Sequence, residues 1–343
     1  MIPWTWVTGW VGLLGFIYAG SGYLESRAAM RGTHREPLSP TVDRVIRLFF
    51  LGVFAMPLFL VLPWWVAGGL VALYAPTYVD GSEKTGNRTT DIVRDAWFFH
   101  KLKKYFDLEI VAAGGKLDPS KKYVIGLHPH GFLPFGTMVN VLSRVNDVHG
   151  KFLNGVKLRA LAASFCFYVP GYRDLCLGGG VIDAARYNAR RALDEGCSLC
   201  LVPGGATEGL YAFPGKHILV INKRLGFVKL ALETGAWLVP SYSFGENNCY
   251  EQLSTKLPAV KKFQAKFQRV LGLSLPLVTN LIPKKSKIAT VFGAPIPCTR
   301  IEEPTEAQVK EKLEEYKAAL KNLFDDHAAT YIPNPDERTL EFI

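Results

Sequence analysis

Two long runs of apolar residues without a charged side chain occupy most of the N-terminal quarter of the chain, at residues 1–24 and 48–79. The first run is long enough to cross a bilayer, whose core needs about 20 apolar residues, and it predicts a transmembrane or membrane-embedded helix; a buried core helix is the alternative. The second run is too long for one upright span and too short for two, so it predicts either one tilted span or a hairpin bent near Pro63. We favour the hairpin, because proline breaks helices and the adjacent Trp64 and Trp65 are typical of a membrane interface.

Beyond residue 80 the pattern changes to short β-branched runs that alternate with helical patterns. This alternation is typical of an α/β layered domain, which we expect to span residues 80–343. Strands are predicted at 123–127, 197–202, 237–242 and 288–292, and helices at 134–147, 181–195, 223–234 and 304–327.

One further predicted helix, at residues 257–271, has an apolar face and a basic remainder. The apolar positions are Val260, Phe263, Phe267, Val270 and Leu271, and the basic ones are Lys261, Lys262, Lys266 and Arg269. Such a helix commonly lies on an anionic membrane surface, although a surface helix that packs its phenylalanines into the core has the same pattern. The apolar run at 271–282 and the lysines at positions 284, 285 and 287 favour membrane contact.

The loop between the two apolar runs, residues 25–47, carries more arginines than acidic side chains. Basic loops remain on the cytosolic side of membranes, so this loop is predicted to face the cytosol. If 48–79 forms a hairpin, the domain at 80–343 also faces the cytosol, where a coenzyme A thioester is available. The glycosylation sequon at Asn87 is then expected to remain unmodified.

The composition agrees with a folded, membrane-attached protein. Of the 343 residues 49% are hydrophobic, and 40 Lys and Arg against 30 Asp and Glu give a net charge of +10. This hydrophobicity excludes a disordered chain. Aromatic residues concentrate in uncharged runs instead of alternating with Lys and Arg, which argues against a nucleic-acid partner, and six cysteines in this length do not form a disulfide scaffold. We therefore expect an intracellular, membrane-attached enzyme or lipid-binding protein.

The strongest candidate for catalysis directly follows the predicted strand at 123–127. The motif is His128-Pro129-His130-Gly131. Loops at the carboxyl ends of strands hold the sites of open α/β folds, and a neutral imidazole there can accept a proton from an alcohol. A pair of hydrogen-bonded core histidines is the alternative. A metal site that adds His100 or His217 is disfavoured, because no acidic or thiol ligand has standard spacing.

Two further segments carry candidate polar contacts. A Pro-Gly-Gly loop follows the next predicted strand, and the backbone amides of Gly204 and Gly205 can hold an oxyanion or a phosphate. Glu208 is predicted to orient a catalytic histidine, with helix capping or a surface charge as the alternative. Lys223 and Arg224 at a predicted helix start oppose the helix dipole, which indicates an anionic ligand such as coenzyme A phosphates; solvated surface charge explains each of them alone equally well.

Two other chemistries fit the sequence less well. Serine hydrolysis would need a Gly-x-Ser-x-Gly turn, which the chain lacks. Cys197 and Cys200 form a C-x-x-C pattern inside a predicted strand, where residues three apart point to opposite faces. We therefore interpret them as buried core cysteines.

Five motifs, in this order and spacing, closely resemble the type-2 diacylglycerol acyltransferase family, which includes monoacylglycerol and wax-ester relatives. They are His128-Pro129-His130-Gly131, Gly204-Gly205-Ala206 with Glu208, Pro214-Gly215-Lys216, Arg224 through Leu232, and Val239 through Asn247. The resemblance runs from about residue 90 to the C-terminus. The N-terminal apolar segments are similar to the family's membrane anchor, and Phe59-Leu60-Val61-Leu62 resembles its neutral-lipid-binding motif.

The resemblance implies a fold, an activity and a set of site residues. The domain would be similar to the glycerol-phosphate acyltransferase fold, and it would transfer an acyl group from acyl-CoA, a co-substrate, to a glyceride hydroxyl at the endoplasmic reticulum and lipid-droplet surface. No metal or other cofactor is expected. The implied contacts to substrate or acyl-CoA are Pro129, Gly131, Gly204, Gly205, Lys223, Arg224, Lys229, Glu246 and Asn247, and those to neutral lipid are Phe59, Leu60 and Leu62.

The sequence also departs from related patterns. The wider superfamily has an Asp five positions after its His, whereas Leu133 and Phe135 stand here, so Glu208 is our candidate for the missing carboxylate. The superfamily's phosphate-binding Pro-Glu-Gly-Thr-Arg loop lacks its Glu and Arg here, which favours a neutral acceptor over lysophosphatidate. Asn248 replaces a common acidic residue of the closer family, and Gly178 replaces a usual Ser.

The hypothesis that follows is a direct transfer to diacylglycerol, which makes triacylglycerol. His130 is the general base, Glu208 holds the imidazolium, His128 positions His130 or substrate, and backbone amides near Gly131 or Gly204 stabilise the oxyanion. An acceptor such as monoacylglycerol or a fatty alcohol is the first alternative. A lipid-droplet-binding protein without enzymatic activity is the second.

Overall fold

The computed structural model of the protein describes residues 40–271 and 276–343. The membrane helix predicted at 1–24 lies outside these residues, as does most of the predicted basic loop at 25–47. Residues 40–47 of that loop belong to a helix, Pro40–Val61. Within the described residues, one stretch, Asp43–Val61, is long and apolar enough to cross a membrane; whether it does so stays a prediction.

The apolar run at 48–79 contains a helix break at Pro63. The helix Pro40–Val61 ends just before this residue, and Trp64–Tyr74 and Pro76–Val79 follow it. Proline has no amide hydrogen to donate to the preceding helical turn, so the backbone bends there.

A seven-stranded sheet forms the centre of the domain, in the order β1-β8-β7-β2-β5-β3-β4. Five neighbouring strands (β7, β2, β5, β3 and β4) run parallel, whereas β8 is antiparallel to β7 and β1 is parallel to β8. A separate parallel pair is formed by β6 and β9. The strands are β1 Glu109–Ala112, β2 Tyr123–His128, β3 Leu158–Ala162, β4 Val181–Asp183, β5 Ser198–Leu201, β6 His217–Leu219, β7 Trp237–Phe244, β8 Ala289–Phe292 and β9 Leu340–Phe342.

Helices cover both faces of this sheet. The α-helices after residue 80 are Ser82–Thr85, Asp91–Arg94, Trp97–Phe106, Tyr172–Gly179, Arg186–Asp194, Gly205–Glu208, Gly226–Thr234, Leu253–Lys256, Pro258–Leu271 and Glu306–Tyr331. Two segments are π-helical, Gly136–Leu142 and His149–Leu153, and four are 3₁₀-helical, Ser164–Phe167, Gly209–Tyr211, Glu246–Cys249 and Pro335–Glu337.

The core lies in two layers, one on each side of the sheet, because side chains of a strand alternate between its faces. On β2, Val124 packs with residues of the helices Gly226–Thr234 and Glu306–Tyr331. Ile125 packs on the opposite face, together with Phe152. The prediction of an α/β layered domain is confirmed.

Three predicted helices differ from the structure. Residues 181–195 are not one helix: Val181–Asp183 is a buried strand paired with β3, because its apolar residues fill the sheet edge, and the helix begins at Arg186. The segment predicted at 134–147 is π-helical only over Gly136–Leu142. The helix predicted at 223–234 begins at Gly226, so Lys223 and Arg224 lie in the preceding turn.

A buried ion cluster joins the first described helix to the domain. Arg47 of that helix lies 3.3 Å from one oxygen of Glu83, and Arg173 lies 3.6 Å from the other. All three side chains are buried, and Phe50 stacks on Tyr168 beside them with 4.8 Å between ring centroids. The helix is therefore packed against the domain by charge and by ring contact.

Candidate active site

Three of the five motifs meet at one edge of the sheet. The strands β7, β2 and β5 are parallel neighbours, so their carboxyl ends lie side by side. The motif at 128–131 ends β2, the Pro-Gly-Gly loop follows β5, and Glu246 follows β7. The fold thus brings together residues that are more than a hundred positions apart in the sequence.

His130 presents one ring nitrogen for proton transfer. Its Nδ1 lies 3.1 Å from the carbonyl oxygen of Gly131, and since a carbonyl only accepts hydrogen bonds, Nδ1 carries the proton. The neutral ring then has its lone pair on Nε2. The His130 side chain is partly buried, and this burial lowers its pKa. The ring is therefore neutral near pH 7. This is the state that a general base requires.

Glu208 holds the main chain of His130, not its ring, so the predicted contact to the imidazolium is wrong. One carboxylate oxygen accepts the His130 amide at 2.8 Å, and the other accepts the Val220 amide at 3.0 Å. The carboxylate approaches so closely that a Cβ at Gly204 would lie 2.1 Å from Oε2, which explains why glycine stands there. Burial raises the pKa of Glu208 to about 7.

Glu246 fixes the other end of the same loop. Its two carboxylate oxygens accept the amides of Phe135 and Gly136, each at 2.7 Å, and burial raises its pKa to about 8. Both oxygens are thus used inside the protein. Glu208 holds the backbone inside the 128–131 motif and Glu246 holds it just after the motif, so both are positioning residues.

His128 is buried behind the site. Its Nε2 lies 3.1 Å from the hydroxyl of Tyr316, which in turn lies 3.3 Å from the carbonyl oxygen of Gly126. The carbonyl requires that Tyr316 donate to it, so Nε2 of His128 donates to the Tyr316 oxygen. Burial lowers the pKa of His128 to about 3, and the ring is neutral. His128 therefore supports the end of β2 from inside.

Four more residues were predicted to contact substrate or acyl-CoA, and the structure places two of them in hydrogen bonds within the protein. Arg224 donates to the carbonyl oxygen of Gly204 at 3.2 Å and to Thr207 Oγ1 at 3.1 Å, and so fixes the loop after β5. Asn247 donates to the carbonyl oxygen of Lys216 at 2.9 Å. Lys223 is exposed to solvent, and Lys229 is half-buried on the following helix.

Phe59, Leu60 and Leu62, the predicted neutral-lipid contacts, lie on a different element from the histidine motif. They follow one another at the end of the helix Pro40–Val61 and just after it. Phe59 and Leu60 are exposed, and Leu62 is half-buried. Their role in binding lipid stays a prediction.

Two described stretches, residues 250–271 and 276–283, belong to a segment that lies near the His130 loop. Gln252, fully buried, donates to the carbonyl oxygens of Gly209 and Ala212 at 2.7 and 3.0 Å. A Cβ at Gly209 would lie 3.9 Å from both His130 Nδ1 and Pro276 Cγ, so Pro276 lies close to the His130 ring.

The same segment exposes large apolar side chains. Phe263 in the helix Pro258–Leu271 is 52% exposed, and Leu281 and Ile282 are 93% and 77% exposed. Packing into the core therefore does not account for Phe263, and that alternative for this residue is wrong.

A family model described as "Diacylglycerol acyltransferase" matches residues 57–342. The chain belongs to this family. The family resemblance of the sequence is thereby confirmed, and so is the fold class of the domain at the level of a parallel-rich α/β sheet.

Curated acyltransferases match most of the chain. "Diacylglycerol O-acyltransferase 2" of Dictyostelium discoideum is 35% identical over 73% of this chain and 79% of its own length. "2-acylglycerol O-acyltransferase 1" of Bos taurus is 33% identical over 75% of this chain and 80% of its own. Among solved structures, the 1-acyl-sn-glycerophosphate (LPA) acyltransferase PlsC from Thermotoga maritima aligns with 81% of this chain and 97% of its own, at 14% identity and a TM-score of 0.41.

Two supports of the site in this family member were not predicted from its sequence. Tyr316 lies on the buried face of the helix Glu306–Tyr331 with Leu313 and Leu320. This spacing in the sequence indicates that Tyr316 is buried, but it does not reveal that His128 is its hydrogen-bond partner. No sequence pattern indicated that Gln252 is buried, because a polar residue in a loop is normally solvated.

Proposed function

We propose that this chain is an enzyme that transfers the acyl group of acyl-CoA to the hydroxyl of diacylglycerol and so makes triacylglycerol. The observation that carries the proposal is the geometry of His130, whose Nδ1 proton is donated to Gly131 and whose Nε2 is left to act as base. Membership of the diacylglycerol acyltransferase family and the printed names of its relatives support the choice of substrates.

The reaction proceeds in a direct transfer. Nε2 of His130 takes the proton of the acceptor hydroxyl while its oxygen attacks the thioester carbonyl carbon. The tetrahedral intermediate then collapses, the carbon–sulfur bond breaks, and coenzyme A leaves as a thiolate that receives the proton from the imidazolium. The ester and the free thiol are the products, and His130 is neutral again.

Backbone amides are the candidates for stabilising the oxyanion. The Gly205 amide donates to the carbonyl oxygen of Val202 at 3.0 Å, and the His130 amide donates to Glu208. Both are therefore engaged, which leaves the amides of Gly131 and Gly204, and we assign this role to these two. Glu208 and Glu246 act only through the loop that they hold.

The second candidate acceptor is monoacylglycerol. It is favoured by the relative from Bos taurus, whose name specifies a 2-acylglycerol acceptor. Because apolar pockets discriminate such lipids by shape more than by hydrogen bonds, the two acceptors must be compared in one assay.

We further propose that the enzyme acts on the cytosolic face of the endoplasmic reticulum membrane and at lipid droplets, with the segment 250–283 in contact with lipid. The exposed Phe263, Leu281 and Ile282 would enter the apolar layer, and the exposed Lys262 and Lys266 would meet anionic headgroups. Since this segment passes beside His130, an acceptor dissolved in the bilayer would reach the base without crossing water.

The test is a membrane assay of the full chain with labelled oleoyl-CoA and, in parallel, diacylglycerol, monoacylglycerol and a fatty alcohol. His130→Ala is expected to lower turnover roughly 10²–10⁴-fold, the usual contribution of a general base, without releasing the protein from the membrane. The matched control is His100→Ala, an exposed histidine on another helix. Near-full turnover of His130→Ala would refute the assignment, and preference for another acceptor would replace diacylglycerol.

A further inference from the structure

A second cavity lies at the opposite end of the sheet from His130. Its volume is about 200 Å³, and it borders Leu158 and Cys197, at the amino ends of β3 and β5. His130 follows the carboxyl end of the parallel strand β2. At about 3.3 Å per residue, strands of this length separate the two places by roughly 15–20 Å, so the cavity is distinct from the proposed active site.

One wall of this cavity is basic and the other is apolar. The polar lining consists of Arg94, His149, Lys157 and Arg159 together with Thr89, and the apolar lining includes Val141, Leu142, Leu153 and Leu158. No carboxylate belongs to the lining within residues 40–271 and 276–343. The wall is therefore selective for a negative group.

The two guanidinium groups at this wall are bonded only to neutral partners. Arg94 donates to the carbonyl oxygen of Leu142 at 3.0 Å and to His149 Nε2 at 2.6 Å, and Arg159 donates to Thr89 Oγ1 at 2.7 Å. In the part of the chain that the structure describes, neither guanidinium has a carboxylate within 4.0 Å. Asp91, on the same helix as Arg94, and Asp95, directly after that helix, pair with Arg144.

This charge arrangement is costly without an anion. Both arginines are half-buried, and partly buried like charges destabilise a fold unless an opposite charge compensates them. Burial lowers the pKa of Arg94; the charges of Asp91 and Asp95 oppose that effect, and those of Arg144 and Arg159 add to it. An anion in hydrogen-bond contact would compensate the guanidinium more closely than these two carboxylates do.

Arg159 is also fixed in place by the packing around it. A Cβ at Gly86 would lie 2.8 Å from its Nε, and one at Gly180 would lie 3.4 Å from its Nη1. The side chain thus occupies a slot that glycine leaves open on two sides. The guanidinium is therefore held in one position beside the cavity.

We propose that this cavity binds a phosphate monoester, through charge-assisted hydrogen bonds from Arg94, Lys157 and Arg159. Guanidinium groups match two phosphate oxygens at once, and the volume admits a phosphate with a small attached group but not a whole coenzyme. The phosphate comes either from a soluble metabolite or from the headgroup of an anionic lipid, and the apolar wall is compatible with both.

The experiment measures binding to the purified full chain in neutral detergent. Inorganic phosphate and glycerol 3-phosphate are titrated while the midpoint of thermal unfolding is followed, and vesicles of phosphatidylcholine with and without phosphatidic acid are compared by flotation. Saturable stabilisation by the soluble phosphates identifies a soluble ligand. Preference for phosphatidic acid without such stabilisation identifies a headgroup.

Arg159→Gln is expected to weaken the effective binding at least tenfold, and Lys157→Gln, at an exposed position, provides a second variant if the first does not fold. The matched control is Arg300→Gln, an exposed arginine away from the cavity. Neither variant touches the His130 site, so acyl transfer without added phosphate is expected to remain unchanged. Binding that is absent, or equal in wild type and both variants, would overturn the proposal.

Discussion

The two ring nitrogens of His130 differ in protonation, and the hydrogen bond to Gly131 determines which of them carries the proton. The proton on Nδ1 is held by a carbonyl oxygen that only accepts, so a second proton on Nε2 abolishes the base. Burial disfavours that charged form and lowers the pKa of the ring below its ordinary value of 6.5.

The rate of acyl transfer is therefore expected to fall on the acidic side with a midpoint below pH 6.5. Above the pKa of the folded protein the ring is neutral and active, and below it the ring is protonated and inactive. Initial rates at saturating acyl-CoA between pH 4.5 and 8.5 measure this limb, with unfolding followed at each pH as the control. An acidic midpoint above 6.5 would contradict the burial of a neutral His130.

At the scale of single elements, Gly178 is the point where two helices touch. A Cβ at this position would lie 2.5 Å from a methyl group of Val93, and the carbonyl oxygen of Gly178 accepts the Thr90 amide at 3.0 Å. The helices Asp91–Arg94 and Tyr172–Gly179 thus touch at a point where only glycine fits. A Ser at this position would require a smaller partner.

Gly178→Ser is expected to lower the free energy of unfolding by about 1–3 kcal/mol, the usual cost of overpacking. Adding Val93→Ala should recover part of this loss, because the methyl groups that clash are then absent. Chemical denaturation of the single and double variants, with Val93→Ala alone as control, measures the coupling. If Gly178→Ser were as stable as wild type, the two helices could move apart without a cost in free energy, and the packing argument would be wrong.

The proposed contact between the helix Pro258–Leu271 and lipid is tested by Phe263→Asp. Removing an apolar ring that enters the bilayer costs about 1.5–3 kcal/mol of contact, so the apparent KM for long-chain diacylglycerol in anionic vesicles should rise roughly tenfold or more. Turnover of a water-soluble short-chain acceptor should be unchanged.

The matched control for this test is Tyr187→Asp, an exposed aromatic residue on another helix. Equal KM values for the two variants would mean that Phe263 does not meet lipid. A fall in the turnover of both acceptors by Phe263→Asp alone would indicate damage to the site instead.

Sequence patterns predicted four of the nine strands in the described residues, those formed by apolar runs that have few other uses, and did not predict β1, β3, β4, β6 or β9. The strands that follow residues 122, 197, 236 and 288 were all anticipated, and so was the convergence of the histidine and glycine loops. The short strand Val181–Asp183 was missed, because three residues at a sheet edge look the same as the first turn of a helix. The role of Glu208 was misjudged because main-chain amides leave no mark in a sequence.

At the scale of the whole molecule, the ion cluster of Arg47, Glu83 and Arg173 joins the helix Pro40–Val61 to the α/β domain. Glu83 faces both buried guanidinium groups, and each of these has a second carboxylate nearby: Asp43 lies 3.1 Å from Arg47, and Asp80 lies 3.8 Å from Arg173. Such a cluster need not stabilise more than apolar residues would, but removing Glu83 leaves two buried cations with only one carboxylate each.

Glu83→Gln is accordingly expected to lower the free energy of unfolding by about 2–3 kcal/mol, less than the roughly 3–5 kcal/mol that a buried charge without any partner costs, and to expose the helix Pro40–Val61 to protease. Unfolding and limited proteolysis in detergent measure the two effects. Glu306→Gln, whose partner Lys310 is exposed, is the control and should change stability by at most about 1 kcal/mol. A similar, small loss in both variants would argue that the cluster is solvated.

The position of residues 250–283 beside His130 also bears on which products form. An imidazole that accepts a proton from a lipid alcohol accepts one equally well from water, and attack by water would hydrolyse the thioester to free fatty acid. The buried Gln252 ties this segment to the carbonyl oxygens of Gly209 and Ala212 after β5, and Gly209 lies beside the His130 loop. We therefore expect the ratio of esterification to wasteful hydrolysis to depend on a stretch of chain that supplies no atom to the reaction.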